Sequence, residues 1–154
     1  MRAYAPKRMV AARKMELRDV ERVGQLEIQS FTAPWSADTF VHLLDRPGCE
    51  LWVLEDPEAG VVGYAVLWCI LDQGELANIA VAKSYRGQGH GAYLLERVME
   101  VAKERGVARL YLEVRVSNTA AAELYRSFGF TEVGQRKKYY DRPVEDALMM
   151  VAKL

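Results

Sequence analysis

The sequence predicts an α/β fold of the α+β kind: a mixed, mostly antiparallel twisted sheet of about six or seven strands flanked by about four helices. Three observations predict it. Strand-type runs at residues 50–55, 61–71 and 75–82 are joined by short turns of Asp, Pro and Gly, so they should be antiparallel neighbours. The apolar run ending at Val81 passes through a glycine-spaced loop directly into an amphipathic helix. From residue 107 onward, strand and helix periodicities alternate. With 154 residues, 51% of them hydrophobic, residues 1–154 can close one core and form a single domain.

The elements follow in order. Residues 8–13 read as a short first strand. Residues 17–31 read as a helix, with Leu17, Val20, Val23, Leu26 (or Glu27) and Ser30 at helical spacing. Pro34-Trp35-Ser36 turns the chain, and Ser36 suits the N-cap of a second helix running to about residue 44. Pro47-Gly48 ends that helix before the three antiparallel strands. Residues 89–105 form the next helix, with Leu94, Leu95, Val98, Val101 and Ala102 on one face and Gly106 as its stop. A strand over residues 107–116 carries Leu110, Leu112, Val114 and Val116 on one face. A helix over residues 118–128 carries Ala121, Leu124, Tyr125 and Phe128, and Gly129 ends it. Two last strands occupy about residues 131–138 and 145–153.

Lys plus Arg (21) balance Asp plus Glu (21), so the chain lacks the basic field of a nonspecific nucleic-acid binder. Residues 1–8 are a basic leader; Arg2, Lys7, Arg8, Arg13 and Lys14 cluster near the N-terminus and read as solvated. No apolar run approaches the roughly 20 residues of a membrane span. No apolar signal segment is evident. Cys49 and Cys69 form no C-x-x-C pair, so neither a disulfide framework nor a metal site is expected. Cys69 reads as core and Cys49 as more exposed. These features together fit a cytoplasmic protein.

The most informative stretch is Asn78-Ile79-Ala80-Val81-Ala82-Lys83-Ser84-Tyr85-Arg86-Gly87-Gln88-Gly89-His90-Gly91. A strand–loop–helix junction of this kind aims backbone N–H groups and the positive end of a helix dipole at one spot. That spot suits a pyrophosphate, and Gly87, Gly89 and Gly91 remove side chains that would hold it off. Three alternating glycines exceed what a tight turn alone requires. Gly87-x-Gly89-x-x-Ala92 also fits the dinucleotide fingerprint formally, with Glu113 near where a ribose-binding acid would stand. The context opposes this. Ser84-Tyr85-Arg86 separates strand from glycine, antiparallel strands precede the motif, and too little chain follows for a second nucleotide half.

Arg86-Gly87-Gln88-Gly89-His90-Gly91 resembles the R/Q-x-x-G-x-G/A signature of the GNAT acetyltransferases, and the order of elements and the length are similar. The resemblance is closer still to the ribosomal-protein-alanine N-acetyltransferases (RimI-type) and covers about residues 15–153. Phe31-Thr32-Ala33-Pro34-Trp35-Ser36 looks like that family's substrate-side loop. Residues 112–118 and 124–130 look like its catalytic strand and helix. Arg136-Lys137-Lys138-Tyr139-Tyr140 with Glu145-Asp146-Ala147 looks like its C-terminal hairpin. An extra basic leader precedes the first strand, and the chain stops directly after the last one.

The resemblance implies a GNAT fold and acetyl-CoA as cosubstrate, with no metal. It implies that Arg86, Gly87, Gln88, Gly89, His90, Gly91 and Ala92 hold the pyrophosphate, mainly through backbone amides. Ile79, Ala80 and Val81 would run beside the pantetheine arm, one N–H polarising the thioester carbonyl; ordinary strand pairing is the alternative. His90 itself is expected to point to solvent. Asn118 resembles a coenzyme-contacting asparagine and reads equally as a helix N-cap. Trp35, Tyr139 and Tyr140 are either walls of a peptide site or ordinary structural aromatics.

Pattern alone favours an exposed strand glutamate at Glu113 and a core-edge tyrosine at Tyr125. Their relation changes the reading. About 10 Å of strand rise separates Glu113 from its strand end, and about 10 Å of helix separates Asn118 from Tyr125. If strand and helix are antiparallel, the two come abreast, Glu113 as base toward the ammonium and Tyr125 as acid toward the leaving thiolate. A terminal α-amine, pKa about 8, is roughly a tenth neutral at pH 7, whereas a lysine is neutral to well under about 0.1%. So modest an apparatus suits an α-amine. The resemblance implies the N-terminal alanine of a small-subunit ribosomal protein as substrate. A protein lysine or small-molecule amine, or a non-catalytic acetyl-CoA-binding partner role, stand as alternatives.

Overall fold

The structure, a computed structural model, describes residues 9–154. The leader over residues 1–8, and Arg8 of the expected first strand, lie outside the described residues. In chain order the elements are β1 (Ala11–Lys14), a 3-10 turn (Leu17–Asp19), α1 (Val20–Ser30), α2 (Ala37–Leu44), β2 (Cys49–Asp56), β3 (Gly60–Ile70) and β4 (Gln73–Val81). A second 3-10 turn (Lys83–Tyr85) leads to α3 (His90–Glu104), β5 (Arg109–Arg115), α4 (Thr119–Ser127), β6 (Thr131–Asp141) and β7 (Val144–Lys153). One seven-stranded sheet runs β1-β2-β3-β4-β5-β7-β6. Every neighbouring pair is antiparallel except β4 with β5. The expected mixed sheet with four helices is therefore the observed one. None of those helices is long and apolar enough to cross a membrane.

Strand alternation sorts the sheet into two faces. Tyr64, Val66 and Trp68 of β3 share a face with Ala80, Asn78 and Glu75 of β4, and through Glu75 with Tyr111 and Glu113 of β5. Tyr64 and Asn78 both bond Glu27 of α1, which sets α1 over this face. The parallel β4–α3–β5 crossover carries α3 to the other face, where Gly91 lies over Val81. Leu94, Leu95 and Val98 of α3 are buried there.

Two elements differ from the sequence reading. Leu17 belongs to a 3-10 turn and is 67% exposed, because the apolar stripe of α1 begins only at Val20. Val116 lies beyond the end of β5 and is exposed, so it does not continue the buried row of Leu110, Leu112 and Val114.

Arg13 is tied down rather than solvated. Its Nη1 and Nη2 donate to the two oxygens of Asp19 at 2.8 and 2.9 Å, and Nη2 also reaches Glu55 at 2.9 Å. Asp19 further accepts from the Glu16 amide at 2.8 Å. This fork holds the start of α1 against β1 and β2. The Arg13 guanidinium, more than any other group, keeps the Asp19 carboxyl below its ordinary value. The folded state thus favours the ionised acid, so this contribution is present above the ordinary carboxylate pKa and fades as pH falls through the lowered one. Asp19→Asn is expected to cost about 1–3 kcal/mol at pH 7. The gap to the wild type in urea unfolding should narrow at pH 3, and an equal gap at both pH values would contradict this account.

Candidate active site

Three features of the sheet meet where β4 and β5 separate. The two strands pair only at Gln73↔Arg109, Gly74↔Leu110 and Glu75↔Tyr111. Beyond that point β4 stays paired to β3 as far as Val81↔Gly63, and β5 stays paired to β7 as far as Arg115↔Ala147. The β3–β4 register shifts between Val66↔Asn78 and Leu67↔Leu76, leaving Ala77 as an extra residue in β4. A bulge of this kind bends the strand and raises its twist. It sits just past the last β4–β5 pair, so β4 turns away from β5 there. The edge of β4 over residues 77–81 then presents backbone groups to the gap instead of to a parallel neighbour.

The glycine loop closes the wide end of this gap. Gly87 and Gly89 have φ of +74° and +87°, conformations that side chains disfavour. A Cβ at either would meet nothing within 4 Å, so the space above the loop is open. Gly89 caps α3, whose first-turn N–H groups at His90, Gly91 and Ala92 have no intrahelical acceptor. Together with the helix dipole these amides suit an anion such as a diphosphate.

Side chains brace the loop from below. Arg86 Nε donates to the Val81 carbonyl at 2.9 Å, and Gln88 Nε2 donates to the Ser84 carbonyl at 3.0 Å. Arg86 thus holds the loop to the end of β4, and Gln88 ties it to the 3-10 turn that precedes it. His90, expected to face solvent, is fully buried instead. Its ring packs on Tyr85 at 5.4 Å, and the Tyr85 hydroxyl donates to Asp56 at 2.7 Å, so the start of α3 is anchored to the β2–β3 hairpin.

Glu113 lies on the α1 side of β5. Its Oε1 accepts from Arg136 Nε at 3.0 Å, whereas Oε2 is buried and takes no hydrogen bond among the described residues. A cavity of about 620 Å³ opens beside it, lined in part by Trp68, Glu75, Tyr111, Glu113 and Arg136. Burial, and then the charge of Glu113, push the Glu75 carboxyl up. Tyr125 is buried on α4, its ring edge-on to Phe130 at 5.7 Å. Burial, and next Tyr140, push its phenol up to about 12.

Glu113 and Tyr125 do not bond to each other; Tyr140 lies within electrostatic reach of both. Its own phenol is raised to about 12 by burial and then by Glu113. The β6 register shift between Arg136 and Tyr140 swings Tyr139 and Tyr140 toward this face, and Asp146 holds the shift by accepting from the Lys138 amide at 2.9 Å and Lys137 Nζ at 3.0 Å.

Asn118 is the N-cap of α4, its Oδ1 accepting from the Ala121 amide at 3.2 Å. Trp35 is half-buried, its ring against Phe40 at 5.6 Å. Cys49 and Cys69 are half-buried free thiols that burial pushes up, which makes both weak nucleophiles.

Sequence reasoning missed Arg115. It donates to Thr32 Oγ1 at 3.0 Å and to the Pro143 carbonyl at 3.0 Å, and it stacks over the Tyr140 ring at 4.3 Å. It thereby ties the loop over residues 31–36 to the β6–β7 hairpin. An arginine between two apolar strand positions and a helix cap was the available signal. Sequence reasoning also missed Glu27, a carboxylate inside an apolar helical stripe.

A family model described as "Acetyltransferase (GNAT) family" matches residues 20–130, the stretch from α1 through the glycine loop to the end of α4. The chain belongs to the GNAT acetyltransferase family. Among its relatives, a Bacillus subtilis (strain 168) protein provisionally named a ribosomal protein bS18-alanine N-acetyltransferase is 42% identical, over 94% of this chain and 95% of its own length. A Haemophilus influenzae protein named a ribosomal protein bS18-alanine N-acetyltransferase is 37% identical, over 92% of this chain and 97% of its own. The crystal structure of the ribosomal-protein-S18-alanine N-acetyltransferase from Escherichia coli superposes with a TM-score of 0.85 at 35% identity, covering 94% of both chains. As a GNAT acetyltransferase the chain uses acetyl-CoA as its acyl donor. The open β4 edge and the uncrowded loop fit a narrow arm ending in a diphosphate.

Gly89→Ala is expected to weaken acetyl-CoA binding at least tenfold by calorimetry. Gly106→Ala is the control: its φ of +81° imposes similar strain, about 1–2 kcal/mol, also in open space but at the far end of α3. It should lower Tm comparably and leave affinity unchanged. Unchanged affinity in both variants would put the diphosphate elsewhere.

Proposed function

We propose that this enzyme is a cytoplasmic Nα-acetyltransferase that moves the acetyl group of acetyl-CoA to the N-terminal alanine α-amine of a small-subunit ribosomal protein. The observation that carries this reading is the near full-length likeness, at 42% and 37% identity, to relatives named for that substrate. The unpaired cysteines agree with a reducing compartment.

The chemistry follows from the side chains. Amides of residues 87–92 hold the diphosphate. The β4 edge at Ile79, Ala80 and Val81 lies along the pantetheine arm, and one N–H there polarises the thioester carbonyl. Glu113 accepts a proton from the substrate ammonium, directly or through water, and its buried Oε2 is the oxygen available to do so. The neutral amine attacks the carbonyl directly, because a thioester needs no enzyme-bound acyl intermediate. Tyr125 gives its proton to the departing sulfur. The second proton that the attacked nitrogen loses as the amide forms passes through water to restore the Tyr125 phenol, while the proton on Glu113 leaves to solvent. The raised pKa of Tyr125 keeps its phenol protonated through neutral and mildly alkaline pH. Tyr139, Tyr140 and the loop carrying Trp35 wall the peptide side.

Tyr125→Phe should lower kcat by about 10²–10³-fold while acetyl-CoA affinity stays within about twofold. In the wild type, loss of activity through Tyr125 ionisation should set in only as pH nears about 12, above the usual phenol value near 10. Unchanged turnover in Tyr125→Phe would remove Tyr125 from the reaction.

CoA release should occur with peptides bearing a free N-terminal Ala, more slowly with Ser or Met, and not with N-blocked peptides carrying an internal lysine. Turnover on the blocked peptides would instead make it a lysine acetyltransferase. CoA binding without turnover on any amine would leave only a binding role.

A further inference from the structure

Glu27 is a carboxylate 1% exposed, on α1, and belongs to no step of the reaction above. Three elements donate to it. The Trp35 amide reaches Oε2 at 2.9 Å, the Tyr64 hydroxyl of β3 reaches Oε1, and Asn78 Nδ2 of β4 reaches both oxygens at 2.8 and 3.1 Å. Burying an acid is costly unless its lone pairs are met by donors, and here neutral N–H and O–H groups meet them. The burden shows on Tyr64, whose phenol is driven well above its ordinary value by burial and next by its bond to Glu27.

The three donors have unequal alternatives. Tyr64 and Asn78 sit on strands already fixed by the ladder, at Tyr64↔Ala80 and Val66↔Asn78. Trp35 sits in the loop between α1 and α2, and its amide bond to Glu27 fastens that loop toward the α1 face of the sheet. Losing Glu27 would therefore release the loop and leave the β4 edge where it is.

We propose that Glu27 is a positioning residue: its carboxylate joins the Trp35 amide to Asn78 and so sets the loop over residues 31–36 against the β4 edge at the spacing a peptide N-terminus requires. Glu27 itself does not touch the substrate. The inference rests on the peptide lying beside residues 31–36, as proposed above.

The test is steady-state kinetics on the best N-terminal peptide of the wild type. Glu27→Gln turns an amide N–H₂ toward one of the donors. It should raise the peptide KM at least tenfold while the acetyl-CoA KM stays within twofold. Tyr64→Phe removes a donor and leaves the Trp35 bond intact. It should lower Tm with the peptide KM within twofold. Equal rises in both KM values for Glu27→Gln, no rise in either, or an equal peptide effect in Tyr64→Phe would overturn the proposal. If Glu27→Gln fails to fold, or the wild type acetylates no peptide, amide hydrogen exchange in the wild type decides. The Trp35 amide should exchange at least a hundredfold more slowly than those of Thr32 and Ala33, and equally fast exchange would overturn the proposal. A wild type inactive on peptides but with a protected Trp35 amide would fault the substrate reading and not the Glu27 bond.

Discussion

Parallel strands keep their hydrogen bonds only while they run side by side, and β4 and β5 do so for just three residue pairs. The parting of these two strands is the constraint on which the site depends. Each is secured on its far side, β4 by β3 and β5 by β7, so the separation does not unravel the sheet. The extra residue at Ala77 supplies the bend. Backbone groups left unpaired inside a protein cost about 1–3 kcal/mol each unless water or a ligand meets them. A sheet therefore opens in this way where something else can bond its edge, and an acyl donor with an amide-bearing arm is such a partner.

The walls of the opening are tied by polar contacts rather than by apolar packing alone. Arg86 folds the glycine loop back onto the strand end, Gln88 ties it to the preceding 3-10 turn, and His90 and Tyr85 pin the start of α3. Across the gap, Asp146 stabilises the β6 irregularity that presents Tyr139 and Tyr140. Arg115 and Glu27 bind the loop over residues 31–36 to the hairpin and to the sheet, respectively. Charged groups with fixed bonding directions hold a narrow spacing better than flexible apolar side chains do.

Most of the architecture was legible because the turns are punctuated. Asp56-Pro57, Asp72-Gln73-Gly74, Gly106 and Gly129 each mark a boundary observed within a residue or two. The glycine loop was legible because Gly87 and Gly89 take φ values that other residues avoid. What escaped the sequence was orientation. His90 looked solvent-facing because it follows a loop, yet the first helical residue after a left-handed glycine is turned inward here. Leu17 fitted the helical period but precedes the helix, and Asp19 takes the inward place beside Arg13. Glu27 could be read as an alternative to Leu26 in one stripe, whereas both are buried, one in the core and one at a junction of three elements. Periodicity reports which face a residue shares, and it is silent on which polar groups meet there.

The opening of β4 from β5 is tested most directly by backbone amide hydrogen exchange with and without CoA. Binding should slow exchange within residues 77–81 of the open edge and within residues 87–92 of the loop, and leave the outer strand β6 unchanged. Unaltered exchange within residues 77–81 at saturating CoA would contradict the account, because the separated strands would then not be where the arm of the donor lies.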